Sequence, residues 1–237
     1  MQVGDTGRDI DAVLLTIDVT PEVVNEAVMR RCQLIVSHHP LLFHGLKQVC
    51  GQTPQARIVE TAIKHDIAVY SAHTCLDVAR NGVNTRLADM FRLKETRVLC
   101  PNPAEADGKE PTGLGVIGRL PEPVDYTDFL RIVRDTLGCT YIRYTRPKNE
   151  RVETVALCGG SGAEFIGEAL RQGADVYLTA DCKYHEFQDA DGQIGLIDID
   201  HWVSEKHARE IFRSILEPLG VRCIISETDR TPINCKL

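Results

Sequence analysis

The sequence predicts an α/β fold built on an internal duplication, and three observations carry that reading. Short β-branched runs alternate with helical patterns, the signature of a largely parallel sheet. A strand–helix–strand spacing recurs, because Val13 to Leu34 and Val155 to Val176 are each 21 residues apart. The next strand of each half, at 68–72 and 196–200, runs into a histidine, His73 or His201, with an acid four residues later, Asp77 or Glu205. On this reading two half-sites face each other across a pseudo-twofold axis.

The elements follow in order. A strand at 13–17 leads through Thr20, an N-cap, to a helix at 21–31 with Pro21 in its first position. A strand at 34–37, a helix at 55–65, a strand at 67–72 and a helix near 84–91 complete the first repeat, residues 1–102. The polar, proline-rich stretch at 103–111 has no periodicity and reads as a linker. The second repeat, 112–237, opens with a strand at 114–120, a helix at 126–137 and a strand at 140–144. The opening theme then returns as a strand at 155–158, a helix at 163–172 and a strand at 176–179.

Composition excludes several function classes. The 237 residues carry 27 Lys and Arg against 34 Asp and Glu, a net charge of −7. That balance disfavours nucleic acid or an anionic membrane as the main partner, since both need a basic footprint. At 5% aromatic residues, base-stacking platforms are also disfavoured. No apolar run approaches the roughly 18 residues of a bilayer span, and the start, Met1 to Asp9, has no signal-peptide character. The nine cysteines are odd in number and scattered, so they read as small core residues in a reducing cytoplasm rather than as disulfides or zinc knuckles.

The eight histidines are where the chemistry concentrates. The strand at 34–37 ends in His38-His39-Pro40, and in open parallel sheets ligands bind beyond the carboxyl ends of strands. Neighbours on an extended chain point in opposite directions, so the pair suits two metal ions better than one. A polar turn is the alternative for the pair alone. With His73, Asp77, His201 and Glu205 also at strand ends, a metal site takes precedence, and a thiolate-free His and carboxylate set suits Zn, Mn, Fe, Ni or Co. A further strand-end segment carries Asp181, Lys183, Tyr184 and His185, either acid–base and substrate groups or a polar loop. Gly159, Gly160, Ser161 and Gly162 lie between strand and helix, as a tight turn or as an anion-binding loop. Cys75 and Cys182 read as buried neighbours in preference to soft ligands, and His44, His65 and His207 as surface residues.

Together these blocks resemble the NGG-interacting-factor-three-like family, dinuclear-metal proteins also known as GTP cyclohydrolase 1 type 2 homologues. The resemblance rests on Ile35-Val36-Ser37-His38-His39-Pro40-Leu41 with Gly45-Leu46-Lys47, on Tyr70-Ser71-Ala72-His73-Thr74-Cys75-Leu76-Asp77 and on Gly82-Val83-Asn84. It continues through Gly159-Gly160-Ser161-Gly162, Lys183-Tyr184-His185 with Asp189-Ala190, and His201-Trp202-Val203-Ser204-Glu205. It implies two intertwined α/β repeats with mixed sheets, assembled as a toroidal homohexamer with metal pairs facing an internal cavity. It implies two divalent transition-metal ions per subunit held by His38, His39, Asp77, His201 and Glu205, with Glu205 bridging and His73 outside the ligand set. Members begin earlier, with a helix that leads into the segment standing here as Val3-Gly4-Asp5. Cys75 replaces a usual asparagine and Ala180 a usual glycine.

The activity implied is metal-dependent hydrolysis of a nucleotide or related small molecule, with hydroxide attack on the imidazole ring of GTP as the family reaction. His185 or Lys183 would then donate a proton or clamp substrate. Phosphoester or amide hydrolysis would use the same metals. A non-catalytic hexameric scaffold, metal store or insertase is the alternative, and a nucleic-acid-binding ring stands third, against the net charge.

Overall fold

The computed structural model describes residues 1–5, 7–102 and 111–233. Apart from Pro111, the expected linker lies outside the described residues, as does Cys235. The chain forms two compact units, Met1–Leu76 with Lys206–Arg230, and Asp77–Glu205 with the residues from Thr231 on. The expected sequence repeats and these units are different divisions of the chain.

In the first unit β1 (Ala12–Thr16), α1 (Pro21–Met29), β2 (Leu34–Ser37), α2 (Pro54–Lys64) and β3 (Ala68–Ser71) follow one another. Each helix starts on a threonine cap followed by proline. Thr20 Oγ1 accepts the Val23 amide and Thr53 Oγ1 the Ala56 amide, at 3.3 and 3.1 Å. Val23, Val24 and Ala27 of α1 and Ile58, Val59 and Ala62 of α2 pack with Leu14, Ile35 and Val69 in one core. A single turn, α3 (Thr74–Asp77), leads into the second unit.

There, α4 (Val83–Met90), β4 (Lys94–Pro101), β5 (Gly113–Asp125), α5 (Tyr126–Leu137), β6 (Arg143–Tyr144) and β7 (Arg151–Ser161) precede α6 (Ile166–Arg171). β8 (Val176–Ala180), α7 (Tyr184–Ala190), β9 (Gly195–Ile199) and α8 (His201–Glu205) complete it. The six strands run in the order β4-β5-β7-β8-β9-β6, with β7, β8 and β9 parallel and the other pairs antiparallel, a mixed sheet. Both faces of its centre are buried. Val155, Leu157, Val176 and Leu178 pack with Phe129 and Val133, whereas Ala156, Cys158 and Tyr177 pack in a second cluster. That division follows from the period-two alternation of a strand.

The chain then returns to the first unit as α9 (Ala208–Leu216) and β10 (Arg222–Ile225), which extends an all-parallel sheet ordered β10-β1-β2-β3. The α/β class with mixed sheets is therefore as expected. β4, α7, α9 and β10, with the single turns α3 and α8, had no counterpart in the sequence reading.

Strand register bears on the repeat. Val13 pairs with Leu34 and Val155 with Val176, the pairs whose spacing recurs in sequence. Leu34 then pairs with Ala68, but Val176 pairs with Gly195. Counting five residues on from each, His73 corresponds to Asp200 rather than to His201, so the expected His73–His201 correspondence is out by one residue. Among the other histidines, His207 is buried at the start of α9, not on the surface, and Cys75 is exposed, not a buried neighbour. Of the eight described cysteines, none in a disulfide, four are buried. Among the described residues no helix is long and apolar enough to cross a membrane.

Candidate metal centre

The first unit gathers three imidazoles. β2 stops at Ser37, whose hydroxyl donates to the His39 carbonyl at 2.8 Å and also pairs with Ser71 Oγ. The chain therefore turns, and strand alternation ends with it. The His38 and His39 rings do not point apart as expected; their centroids are 5.3 Å apart. His73, two residues past β3, stands edge-on to both at 5.4 and 5.6 Å. One ring nitrogen from each of the three lies within 4.8 Å of the others, a group that could hold a metal ion.

Each member of the His-His pair is oriented through its Nδ1. His38 Nδ1 lies 2.9 Å from the Ala72 carbonyl, and His39 Nδ1 lies 2.8 Å from Asp18 Oδ1. Both partners only accept, so the proton sits on Nδ1 and Nε2 is the atom that could bind a metal, the usual arrangement of metal-binding histidines.

The second unit contributes a carboxylate–imidazole chain. In the single turn of α8, His201 and Glu205 are four residues apart and share a face. His201 Nε2 lies 3.1 Å from Glu205 Oε2, and His201 Nδ1 lies 2.6 Å from Asp181 Oδ2. Burial opposes charge on His201, but hydrogen bonding and attraction from Glu205 and Asp181 outweigh it and push the imidazole up to about 9. Two carboxylates thus hold a positive charge where a cation would neutralise them. Asp200 starts the turn, its Oδ1 accepting the Val203 amide at 3.0 Å.

The glycine loop is the seat of this turn. Between Leu157–Leu178 and Ser161–Ala180, β7 spends two more residues than β8, and Gly160 takes a φ of +66° in that bulge. A Cβ on Gly160 would stand 2.2 Å from Glu205 Oε1 and 3.3 Å from His201 Nε2. The Gly159 amide donates to Asn84 Oδ1 at 2.9 Å and the Gly160 amide to Ser204 Oγ at 2.8 Å. Gly160 and Ser161 close β7 in this bulge, with Gly162 beyond it, and the Gly160 amide is engaged by α8. Asn84 also donates through Nδ2 to the Asp77 carbonyl at 3.1 Å, tethering that acid to the same bulge.

Asp181 is held in place from behind. It has a φ of +59°, uncommon among non-glycine residues, though aspartate takes it more readily than most. Buried Asp198 accepts the next amide, Cys182 N, at 2.6 Å and two bonds from Arg143 at 3.0 and 2.9 Å. Arg143 also donates to the Cys182 carbonyl and stacks over Phe187. Lys183, the N-cap of α7, and His185, in its first turn, are exposed; His185 pairs with Gln188 and the Lys183 amide with Glu186. Neither has a described contact with His201.

Sequence reasoning missed Asp18, Asp198 and Arg143, and it treated Asn84 and Ser204 only as members of motif blocks. Strand register supplied a usable signal for Asp18, since it stands as far beyond β1 as His39 stands beyond β2. No comparable signal marks Arg143.

The donor set is imidazole nitrogen and carboxylate oxygen without thiolate, and the glycine seat admits no side chain against it. These residues fit a divalent metal ion. The family model for Duf34/NIF3 (NGG1p interacting factor 3) matches residues 1–232. Proteins described as "GTP cyclohydrolase 1 type 2 homolog" from Clostridium perfringens and Streptomyces coelicolor are 32% and 35% identical to this chain. Each match covers 86% of this chain, and 77% and 72% of the respective relative. The crystal structure of a Bacillus cereus protein related to NIF3 superposes with a TM-score of 0.89 at 25% identity, covering 99% of this chain and 92% of that one. With residues 1–232 of its 237 matched by the family model, this chain belongs to the Duf34/NIF3 family.

Proposed function

We propose that the chain binds two divalent transition-metal ions per subunit, drawn from Zn, Mn, Fe, Ni and Co, through His38, His39, Asp77, His201 and Glu205. On this reading it acts as a metal-dependent hydrolase on a nucleotide or related small molecule, in the cytoplasm. The observation that supports it most is the orientation of the imidazoles: His38, His39 and His201 each have Nδ1 engaged by an acceptor within 3 Å. Bound cations would polarise the scissile bond and lower the pKa of a coordinated water toward about 7. The chain's own residues would do the rest. Gly160 leaves room for Glu205, Asp181 fixes the His201 ring, His73 orients solvent or ligand beside the pair, and exposed Lys183 or His185 meets substrate and moves the proton. GTP is the first substrate to try, as the relatives' printed name suggests, followed by phosphoesters and amides.

The test is metal content and turnover on one set of samples. Wild-type protein reconstituted with each metal should retain two ions after dialysis and hydrolyse GTP or another member of a nucleotide and phosphoester panel. The variant combining His38→Ala and Glu205→Gln should lose both properties while keeping its circular dichroism. Two retained ions that exchange freely, with no turnover on the panel, would instead make the protein a metal store, insertase or scaffold. Full activity in the double variant would remove the metal centre from the mechanism.

A further inference from the structure

We infer that Asp18 is a positioning residue for metal binding, which acts by holding His39 and makes its ion site tighter than that of His38. The inference rests on the metal-centre reading above and adds to it that the two rings, although their centroids are 5.3 Å apart, serve different ions. Thr16 and Ser37 are register partners on β1 and β2, and Asp18 and His39 each lie two residues further on. Pairing continues past the strand ends, with the His38 amide donating to the Thr16 carbonyl at 3.2 Å and the His39 amide to the Ile17 carbonyl at 2.9 Å. The Thr16 hydroxyl closes on the Asp18 carbonyl at 2.8 Å, and the Ile17 amide donates to buried Asp229 at 2.8 Å. The backbone on both sides is thereby fixed, and the Asp18 carboxylate has one described side-chain partner, His39 Nδ1.

The two histidines differ in what backs them. A carbonyl dipole holds His38 and a full negative charge holds His39. An anionic acceptor strengthens the Nδ1–H bond and raises the electron density at Nε2, making His39 the stronger donor. The second unit repeats the device. Ala180 and Ile199 are register partners, and the residue after the first, Asp181, holds the residue two after the second, His201. In both strand–helix–strand units a carboxylate at the end of one strand braces a histidine at the end of the next.

Asp18 has a side chain 44% exposed, so its removal separates a metal effect from a folding one. Zn2+ titrations against a chromophoric chelator would be run on wild type, Asp18→Ala and Asp18→Asn, with 15N-histidine spectra of the zinc-loaded proteins. Wild type should bind two ions and show the Nδ1–H tautomer at His39. In Asp18→Ala one ion should weaken by about 10- to 100-fold while the other keeps its affinity, with the His39 ring losing its single tautomer and the metal-free melting temperature unchanged. Asp18→Asn, which keeps an acceptor without the charge, should fall between. Unchanged affinities for both ions in Asp18→Ala would overturn the inference and leave the metal centre standing. Equal weakening of both ions with a lower metal-free melting temperature would assign Asp18 to folding alone. A wild-type protein that binds no zinc would remove the metal-centre reading itself, and this inference with it.

Discussion

Gly160 has no side chain because the space belongs to Glu205, and two independent costs guard the position. A Cβ would overlap the carboxylate oxygen at 2.2 Å, and a φ of +66° disfavours any L side chain. Gly160→Ala should therefore destabilise the protein by roughly 1–3 kcal/mol and abolish tight zinc binding, read by thermal melting and chelator competition. Gly167→Ala is the control. It sits in α6 with open space around its Cβ position, so it should leave zinc binding intact and melt no lower. At this scale much of the site was legible in the sequence, because His38, His39, His73, Asp77, His201 and Glu205 all stand just beyond strands. What was not legible was the turn at Ser37, a side-chain-to-backbone hydrogen bond that cancels the alternation expected of an extended pair. The braces Asp18 and Asp198 were also hidden: Asp18 is marked only through the strand register it shares with His39, and Asp198 lies within buried β9, where the sequence reads as an apolar run.

An apolar period made several elements legible, but α9 was missed although Ala208, Ile211 and Phe212 form a buried stripe on it. α1, α2 and α5 were expected within two residues of their observed ends, each with a buried stripe. β4 escaped because Lys94, Glu95, Thr96 and Arg97 are all exposed on a charged edge strand, a form that protects edges from aggregation. At the other end of the chain, α1 is tied to the segment after β10 by one buried acid. Glu26 accepts bonds from the Ser226 hydroxyl at 2.6 Å, the Thr228 hydroxyl at 2.8 Å and the Glu227 and Thr228 amides, and pairs with Arg30 at 2.9 Å. Burial alone would raise its pKa, but these donors together bring it below the ordinary carboxylate value. Since the folded value lies below the unfolded one of about 4.3, its contribution is complete above that pH and fades as pH falls through the depressed value. Glu26→Gln should cost about 1–3 kcal/mol at pH 7. The gap from wild type in urea unfolding should narrow at pH 3.

For the whole molecule, each compact unit has a core of its own, one built on Leu14, Ile35 and Val69 and the other on Phe129, Leu157 and Leu178. The surface also carries large apolar side chains, Met29, Phe43, Tyr184 and Leu219 among them, each more than 70% exposed. Such exposure is compatible with the homohexamer that the family resemblance implies. Light scattering on the eluting protein should then give six times 26.4 kDa, and a monomer mass at micromolar concentration would remove that expectation. The net charge of −7 predicts no salt-dependent retardation of duplex DNA in a gel-shift titration.

By itself the sequence determined the α/β class, the strand-end placement of the histidines and acids, and the family, because each is written in local periodicity and motif order. The tertiary structure decided which nitrogen of His38, His39 and His201 an acceptor holds, why Gly160 must be glycine, and that His73 is not the counterpart of His201. Those depend on register and on hydrogen bonds between residues such as Asp18 and His39 or Asp181 and His201. Strand pairing sets such distances, and residues about 20 apart in the chain carry no local trace of them.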